Sequence, residues 1–365
     1  MTTLHRLFDE QGQSPWLDNL KRGYFRDGTL QRLVDEGIRG VTSNPTIFQK
    51  AITSSADYDE QFAEATRRLS VEDAYWELVV DDIRHACDVL APVFDQSRGA
   101  DGHVSIEVSP ALARDTERTT REARAVWERV DRPNVMIKIP GTAEGLPAVR
   151  ASIAAGISVN VTLIFGVPRY GEVIEAYLAG LEELVEAGGD PAGVRSVASF
   201  FISRVDVEVD RRLRAAGTEA ATGLLGTAAV NQAKLAYEVF QERFATERWA
   251  ALAARGGHEQ RPLWASTSTK DPSYPDLLYV DSLIGPGTVN TMPDATIAAF
   301  LDHGKVARTI DQGLDRARAG WAALTEVGID VEDVAVTIEE EGVASFSKSY
   351  DELLQALNDK AGQLA

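Results

Sequence analysis

Short apolar segments rich in β-branched residues recur along the chain, and no other feature constrains the fold as strongly. Each is bounded by Gly, Pro, Asp or Ser, and together they cover residues 14–20, 37–45, 103–109, 134–140, 158–165, 196–203, 262–269 and 287–292. Between most of them apolar residues recur at helical spacing, as in a predicted helix that ends near Gly156. Strands that alternate with helices pair in parallel. Eight such units predict an α/β fold, a (β/α)8 barrel with its reactive groups at the carboxyl ends of the strands.

An open, doubly wound sheet is the alternative, but neither a G-x-G-x-x-G motif nor a Walker A motif follows any predicted strand. We expect residues 1–365 to form a single barrel domain. The uneven spacing of the strands predicts helical insertions at about 50–100 and 205–260, and a helical tail at about 294–365. An apolar stripe follows one face of that tail: Val343, Phe346, Tyr350, Leu353, Leu354 and Leu357.

Composition limits the partners that we expect. The 37 Lys plus Arg against 56 Asp plus Glu give a formal charge of -19, which repels nucleic acid backbones and anionic membrane surfaces. The single cysteine, Cys87, excludes an intrachain disulfide and any cysteine-based metal cluster. The absence of a signal peptide or long apolar run predicts a cytoplasmic protein. We therefore expect no nucleic acid and no membrane partner.

Histidines give no sign of a metal site. The five histidines never lie three to five residues apart, and no H-E-x-x-H motif occurs. His103, at the start of the third predicted strand, could be a ligand, but a surface or strand-end role is the favoured interpretation. A metal-dependent aldolase is accordingly disfavoured.

One lysine occupies an unusual position. Of the eight lysines, Lys138 is the one inside a strand-like apolar run, where neither face of a barrel strand meets water. An ammonium group there must be paired or deprotonated, and a neutral amine is the form that attacks a carbonyl to make a Schiff base. The alternative is a structural lysine that is ion-paired or extends its charge to water.

Two carboxylates occupy matching positions, Asp18 in the first predicted strand and Glu107 in the third, each near the carboxyl end. A lysine, an aspartate and a glutamate on neighbouring strand ends can form an imine, move protons and cleave or join a carbon–carbon bond. A buried ion-pair layer that only fills the barrel is the alternative.

Six motifs in chain order resemble the strand-end motifs of the transaldolases, in particular the longer bacterial branch of that family: VTSNPTIF, SIEVSP, MIKIPGTAEG, VNVTLIF, SFFISR and LWASTSTK. The resemblance covers about residues 14 to 293, and the helical tail also fits. It implies a (β/α)8 barrel that transfers a dihydroxyacetone unit between sugar phosphates in the non-oxidative pentose phosphate pathway. Sedoheptulose 7-phosphate and glyceraldehyde 3-phosphate would give erythrose 4-phosphate and fructose 6-phosphate, without a metal or other cofactor.

The resemblance also implies roles for the catalytic residues. Lys138 matches the Schiff-base lysine, and Asp18 matches the acid that handles the proton of the substrate hydroxyl during carbon–carbon cleavage. Glu107 and Thr162 match the pair that holds a water for the carbinolamine and imine steps.

Substrate contacts are predicted at other strand ends. Thr42, Asn44 and Asn160 are short polar residues suited to sugar hydroxyls, although Asn44 before a proline is equally suited to cap a helix. Ser199 and Arg204 match the phosphate contacts of the family, and a guanidinium group suits a phosphate dianion.

The seventh predicted strand departs from the family pattern. Better-known members carry an A-S-F-R motif, whereas this chain reads Ala-Ser-Thr-Ser from residue 265 and lacks the arginine. Lys270 follows two residues later. We expect Ser266, Ser268 and Lys270 to hold the phosphate in place of that arginine.

Two rival functions stay open at this point. A fructose 6-phosphate aldolase shares the lysine, but that branch is much shorter and has Gln in place of Glu107 and Tyr in place of Phe201, a residue that we expect to line the substrate site. A non-catalytic barrel that acts as an interaction protein is disfavoured because Asp18, Glu107 and Lys138 are all present. The oligomeric state is left undetermined by these residues.

Overall fold

Eight parallel strands close into a barrel in the computed structural model, which describes residues 1–364. Neighbours around the barrel follow chain order, and the eighth strand pairs with the first. The predicted (β/α)8 architecture is confirmed. The strands are β1 (Gln13–Leu17), β2 (Gly40–Thr42), β3 (His103–Glu107), β4 (Val135–Pro140), β5 (Val159–Ile164), β6 (Ser196–Phe201), β7 (Arg261–Ala265) and β8 (Thr288–Met292).

Helices surround the barrel and fill the long intervals between strands. They are α1 (Thr3–Gln11), α2 (Gly23–Arg26), α3 (Thr29–Asp35), α4 (Pro45–Thr53), α5 (Asp59–Ala65), α6 (Val71–Gln96), α7 (Thr116–Val130), α8 (Gly145–Ala154), α9 (Val167–Glu186), α10 (Ser203–Ala216), α11 (Glu219–Thr222), α12 (Ala228–Arg243), α13 (Glu247–Ala253), α14 (Leu278–Ser282), α15 (Asp294–His303), α16 (Leu314–Glu326) and α17 (Val331–Leu364). Short 3₁₀ turns cover Ala56–Tyr58, Pro110–Leu112 and Pro191–Gly193.

The sequence predicts a helical tail at about 294–365, and the structure shows instead that this tail is divided into three helices. It contains α15, α16 and α17, with breaks at 304–313 and 327–330. Gly313 and Gly328 have φ of 66° and 85°, a left-handed conformation that glycine adopts without strain and that interrupts a helix. The side chains of the barrel and of the tail pack into one contiguous core. We therefore infer that the chain forms a single domain.

Buried faces on both sides of the strands explain their continuous apolar runs. All six residues of β4 are buried, the pattern of a parallel strand covered by helices on one face and by the barrel interior on the other. In the register of the barrel, Glu107 of β3 pairs with Lys138 of β4, and Lys138 pairs with Asn160 of β5. Three polar residues on adjacent strands therefore lie at one level.

Several strands end earlier than their apolar runs suggested, and the ends of β1 and β7 matter most for the site. β1 ends at Leu17, so Asp18 lies just beyond the strand rather than within it. Its backbone N–H still donates to the carbonyl of Met292 over 2.8 Å, which fixes its position. β7 ends at Ala265 because Ser266 has a φ of 57°, which is incompatible with an extended strand.

Closure of the barrel is uneven around its circumference. Five residues of β1, from Gln13 to Leu17, pair in register with five of β8. The same strand pairs with β2 at one position, Leu17 with Val41. Strand β1 is thus held mainly by the strand farthest from it in the sequence.

A buried carboxylate organises the amino end of the barrel. Asp101 accepts hydrogen bonds from Arg39 over 2.8 Å, from Arg261 over 3.0 Å and from the Ser14 hydroxyl over 2.7 Å. Burial raises the pKa of Asp101, but the two guanidinium groups outweigh that effect and the net pKa is lowered. The carboxylate is therefore held ionised.

His103 lies beside this network and is fully enclosed. Its Nε2 donates to the carbonyl of Gly99 over 2.9 Å, and 1% of its surface is exposed. Burial lowers its pKa to about 4. The strand-end position is as predicted, but the alternative of a surface residue is wrong, because the Gly99 carbonyl and the rings of Trp16 and Phe94 lie against the imidazole.

Candidate active site

A cavity of about 360 Å³ opens at the carboxyl ends of the strands. Most of the predicted site residues line it: Asp18, Thr42, Asn44, Lys138, Thr162, Ser199, Phe201, Arg204, Ser266, Ser268 and Lys270. The other two, Glu107 and Asn160, lie behind this wall. The structure thus brings together residues that the sequence disperses over more than two thirds of the chain.

Lys138 and Glu107 form a buried pair. The lysine Nζ lies 3.1 Å from Glu107 Oε2, and it donates a hydrogen bond to the Ser43 carbonyl over 3.2 Å. The contact with Glu107 has the distance of an ion pair without hydrogen-bond alignment, since neither glutamate oxygen accepts a hydrogen bond from any group in residues 1–364. Burial raises the pKa of Glu107 despite the opposing charge of Lys138. The glutamate can therefore carry a proton at a higher pH than an exposed one.

Asp18 faces the cavity from the end of β1. Its Oδ1 accepts a hydrogen bond from Thr42 Oγ1 over 2.7 Å, and Thr42 in turn contacts Thr291 Oγ1 over 2.6 Å. Part of the side chain is exposed to the cavity, yet protein surrounds it on the other sides. Burial raises the pKa of Asp18, and the charge of Lys138 opposes that shift. Both carboxyl groups near Lys138 are thus suited to exchanging protons.

Thr162 presents a hydroxyl that is buried and has no hydrogen-bond partner within the described chain. The next residue, Leu163, has a φ of 58°, and the β5–β6 register shifts between Val161 and Ile164. A residue other than glycine in the left-handed region stores backbone strain, and bulges of this kind redirect side chains near active sites. Ser266 is strained in the same way across the cavity.

Asn160 is hydrogen-bonded below the cavity instead of lining it. Its Nδ2 donates to Ser105 Oγ over 3.0 Å, and its Oδ1 accepts from Ser199 Oγ over 2.7 Å. The amide therefore orients Ser199. Its predicted contact with a sugar hydroxyl stays a prediction.

Asn44 caps a helix, one of its two predicted roles, while its predicted contact with a sugar hydroxyl stays a prediction. Its Oδ1 accepts from the Ile47 N–H over 2.9 Å and caps α4, and the residue also lines the cavity. Capping leaves the amide nitrogen available to a ligand.

Cationic groups gather at the outer side of the cavity. Arg204 has no carboxylate within 4 Å among the residues described, and burial lowers its pKa. Lys270 donates a hydrogen bond to Ser268 Oγ over 2.7 Å. Burial lowers the pKa of this lysine, and the nearby charge of Arg204 lowers it further. Ser266 Oγ lies 2.8 Å from Ser203 Oγ. An unneutralised guanidinium beside an ammonium group and hydroxyls can bind a phosphate dianion.

Several cavity residues were not predicted from the sequence: Thr46, Ile47, Lys50, Ala265, Thr291, Pro293, Ser345 and Phe346. Thr46, Ile47 and Ala265 lie within the quoted family motifs without having been singled out, and Phe346 belongs to the apolar stripe of the tail. That stripe reads as ordinary core packing, and nothing in its spacing indicates that α17 crosses the strand ends.

Two negative findings concern the chain through Leu364. No helix there is both long and apolar enough to cross a membrane. Over the same residues, no three histidine, cysteine or carboxylate side chains converge in an arrangement suited to a metal ion. The expectation of a metal-independent reaction stays a prediction.

Comparison with known proteins gives a consistent result. The sequence profile of the family described as Transaldolase/Fructose-6-phosphate aldolase matches residues 15–357. A protein of Frankia alni named Transaldolase is 53% identical over 355 residues, which cover 96% of each chain. A Transaldolase of Acidothermus cellulolyticus is 54% identical and covers 95% of this chain and 94% of its own. A Transaldolase 1 of Streptomyces avermitilis is 53% identical, with 97% and 94% covered. The chain therefore belongs to the transaldolase/fructose-6-phosphate aldolase family.

Proposed function

We propose that this protein is a transaldolase, a transferase that moves a dihydroxyacetone unit between sugar phosphates through a Schiff base on Lys138. The observation that carries the proposal is the buried lysine 3.1 Å from Glu107, in a cavity that also holds Asp18 and the cations Arg204 and Lys270. The names of the relatives support transfer over simple aldol cleavage.

The first steps join the ketose to the enzyme. The neutral amine of Lys138 attacks the C2 carbonyl of a ketose phosphate and forms a carbinolamine, which loses water to give an iminium ion. Glu107 and Thr162 act on the water that is lost, with the glutamate supplying the proton to the leaving hydroxyl. The raised pKa of Glu107 makes its protonated form accessible for this step.

Asp18 then controls carbon–carbon cleavage. It accepts the proton of the C4 hydroxyl, the C3–C4 bond breaks, the aldose leaves, and the bonding electrons move to the iminium nitrogen to give an enamine. Thr42, which donates to Asp18 Oδ1, holds the carboxylate in position. An acceptor aldose then adds to the enamine in the reverse of the cleavage step. Hydrolysis of the new iminium releases a ketose phosphate that is longer or shorter than the donor.

The substrate phosphate binds at the cationic side of the cavity. Arg204 supplies a planar pair of donors, and Lys270 with Ser266 and Ser268 replaces the arginine that is missing after β7. Asn44 and Phe201 line the sugar site, and Asn160, which accepts a hydrogen bond from Ser199, positions that hydroxyl for the substrate phosphate. Sedoheptulose 7-phosphate and fructose 6-phosphate are the proposed ketoses, in the non-oxidative pentose phosphate pathway of the cytoplasm.

Borohydride trapping tests the proposal. The protein is incubated with fructose 6-phosphate, reduced, and analysed by intact mass and peptide mapping, alongside a coupled assay of transfer to erythrose 4-phosphate. We expect one reduced dihydroxyacetone unit, located on Lys138. Lys138→Arg keeps the charge but cannot present a neutral amine, so transfer should fall by at least about 10³-fold. A folded Lys138→Arg variant with near wild-type transfer would overturn the assignment.

The same trapping experiment addresses the two rivals. Absence of any covalent adduct would favour the non-catalytic barrel. An adduct with release of free dihydroxyacetone but no transfer product would favour the fructose 6-phosphate aldolase.

A further inference from the structure

A phenylalanine of the C-terminal helix lies between the two functional ends of the cavity. The ring centroid of Phe346 is 6.0 Å from Lys138 Nζ and 5.8 Å from the guanidinium carbon of Arg204. Although it lines the cavity, 4% of its surface is exposed. We propose that Phe346 is a specificity-determining residue that keeps water away from the enamine on Lys138 and so favours transfer over release of dihydroxyacetone.

The packing of α17 fixes the ring in this place. Gly342, one helical turn before Phe346, faces the same side, and a Cβ atom there would lie 3.2 Å from Arg204 Nη1 and 3.1 Å from Leu163 Cδ2. The helix therefore lies in close contact with the strand ends. Ser349 accepts a hydrogen bond from Thr46 of α4 over 2.8 Å, which anchors α17 beyond the ring.

The side chain of Arg204 is also held by aromatic faces. Its guanidinium carbon lies 5.1 Å from the centroid of Phe201, so Phe201 and Phe346 both contact the cation that we assign to phosphate. The ring of Phe346 therefore lies close to both Arg204 and Lys138. An apolar side chain at this place removes a volume that water would otherwise share with the substrate.

The proposal rests on the proposed function, because it concerns the fate of the enamine that cleavage leaves on Lys138. In transfer, the enamine carbon C3 attacks the acceptor aldehyde, a C–C bond forms, and the aldehyde oxygen takes a proton. In release, C3 takes a proton instead, one water adds to the C2 carbon of the iminium, and the C–N bond breaks to give dihydroxyacetone and the free amine. In transfer the new ketose iminium is hydrolysed in the same way, so the two routes differ in what C3 takes up first, the acceptor carbon or a proton delivered by water.

The test measures the ratio of free dihydroxyacetone to sedoheptulose 7-phosphate formed from fructose 6-phosphate at a fixed erythrose 4-phosphate concentration. Phe346→Ala should raise this ratio by about tenfold or more, because water gains access to the enamine and can deliver a proton to C3 before the acceptor adds. Phe346→Leu keeps an apolar side chain of similar reach and should change it by less than about threefold. If Phe346→Ala does not fold, Phe346→Val replaces it with the same expected direction.

Leu353→Ala is the matched control. Leu353 lies two turns further along the same face of α17, is fully buried and does not line the cavity. It should lower thermal stability and leave the product ratio unchanged. An equal rise in the ratio for Leu353→Ala would show that any loosening of α17 has this effect, and would overturn the assignment to the ring.

Wild-type measurements separate this inference from the proposed function. If the wild-type protein forms the Lys138 adduct and transfers, but folded Phe346→Ala keeps the wild-type ratio, the inference fails and the proposed function stands. If the wild-type protein forms no adduct, or releases dihydroxyacetone without any transfer, the proposed function fails and the inference fails with it.

Discussion

The pKa of a buried carboxyl group is shifted in opposite directions at the two ends of the barrel. At the amino end, Asp101 accepts hydrogen bonds from Arg39, Arg261 and Ser14, and its pKa is lowered. At the carboxyl end, the pKa of Glu107 is raised, and its oxygens accept no hydrogen bond from residues 1–364. Neighbouring charges and hydrogen bonds outweigh the effect of burial on Asp101, whereas they do not outweigh it on Glu107.

The difference shows where the fold gains stability and where it gives it up. A carboxylate whose pKa the fold lowers contributes to the free energy of unfolding, whereas one whose pKa the fold raises costs stability when it ionises. In barrel enzymes the amino end serves stability and the carboxyl end carries catalysis. The following predictions test whether the two properties separate in this molecule.

Asp101→Asn should have the largest effect, and on stability alone. It leaves Arg39 and Arg261 without their buried anion, and breaking such a pair costs about 3–5 kcal/mol. We expect urea denaturation to show a loss of this size, while kcat of the folded protein changes less than about twofold. Unchanged stability, or a large fall in kcat, would contradict the division between the two ends.

His103 should make stability fall as the pH is lowered. Its folded pKa of about 4 lies below its ordinary value of 6.5. Because the unfolded state binds the proton more readily, this contribution is fully present above pH 6.5 and is lost between about 6.5 and 4, a change of about 3 kcal/mol.

The histidine prediction is checked with His103→Gln, which retains an N–H donor for the Gly99 carbonyl. Its free energy of unfolding should vary less with pH over this window than that of the wild-type protein. Parallel curves for the two proteins would show that the ring is protonated in the folded state as easily as in the unfolded one.

Glu107→Gln should show the reverse pattern to Asp101→Asn. Loss of the proton-carrying carboxyl group should slow imine formation and turnover by about 10²-fold. Stability should change by less than about 1 kcal/mol, since burial already disfavours the ionised form. Single-turnover trapping and urea denaturation measure the two quantities. An unchanged trapping rate would make Glu107 a structural residue.

Arg204→Lys is expected to have a smaller effect than these three substitutions. It should raise KM for fructose 6-phosphate by about tenfold, because lysine cannot supply paired donors. The KM for unphosphorylated dihydroxyacetone or glyceraldehyde should be little affected.

Lys270→Ala tests separately whether this lysine replaces the missing arginine. We expect a loss of about 1–3 kcal/mol in phosphate-dependent binding. Equal losses for both substrate types would argue against a phosphate role.

Strand identity was predictable because burial leaves a direct trace in composition. Strand β4 is covered on both faces and therefore reads as an uninterrupted apolar run, so that Lys138 within it was conspicuous. The exact ends of strands left no such trace. Asp18 lies beyond β1, and Ser266 turns β7 aside through a left-handed backbone that depends on the surrounding packing.

Contacts between distant segments were beyond the reach of sequence patterns. Phe346 has the same helical spacing as Leu353, yet one lines the cavity and the other lies in the core. Asp101 stands in a Gly-Ala-Asp-Gly turn, a setting in which aspartate is common, and only the fold brings Arg39 and Arg261 to it. Motif resemblance located the residues that we propose to react, whereas the residues that enclose them required the structure.

The uneven closure of the barrel has a consequence for how the chain acquires this shape. Strand β1 obtains five of its register pairs from β8 and one from β2, so it stays weakly held until the eighth strand is available. Contacts between segments so far apart in sequence carry a large entropic cost and slow the folding of a domain. On the ribosome, the first strand emerges long before its principal partner. Completion of the barrel is therefore a late event in folding that depends on synthesis of nearly the whole chain.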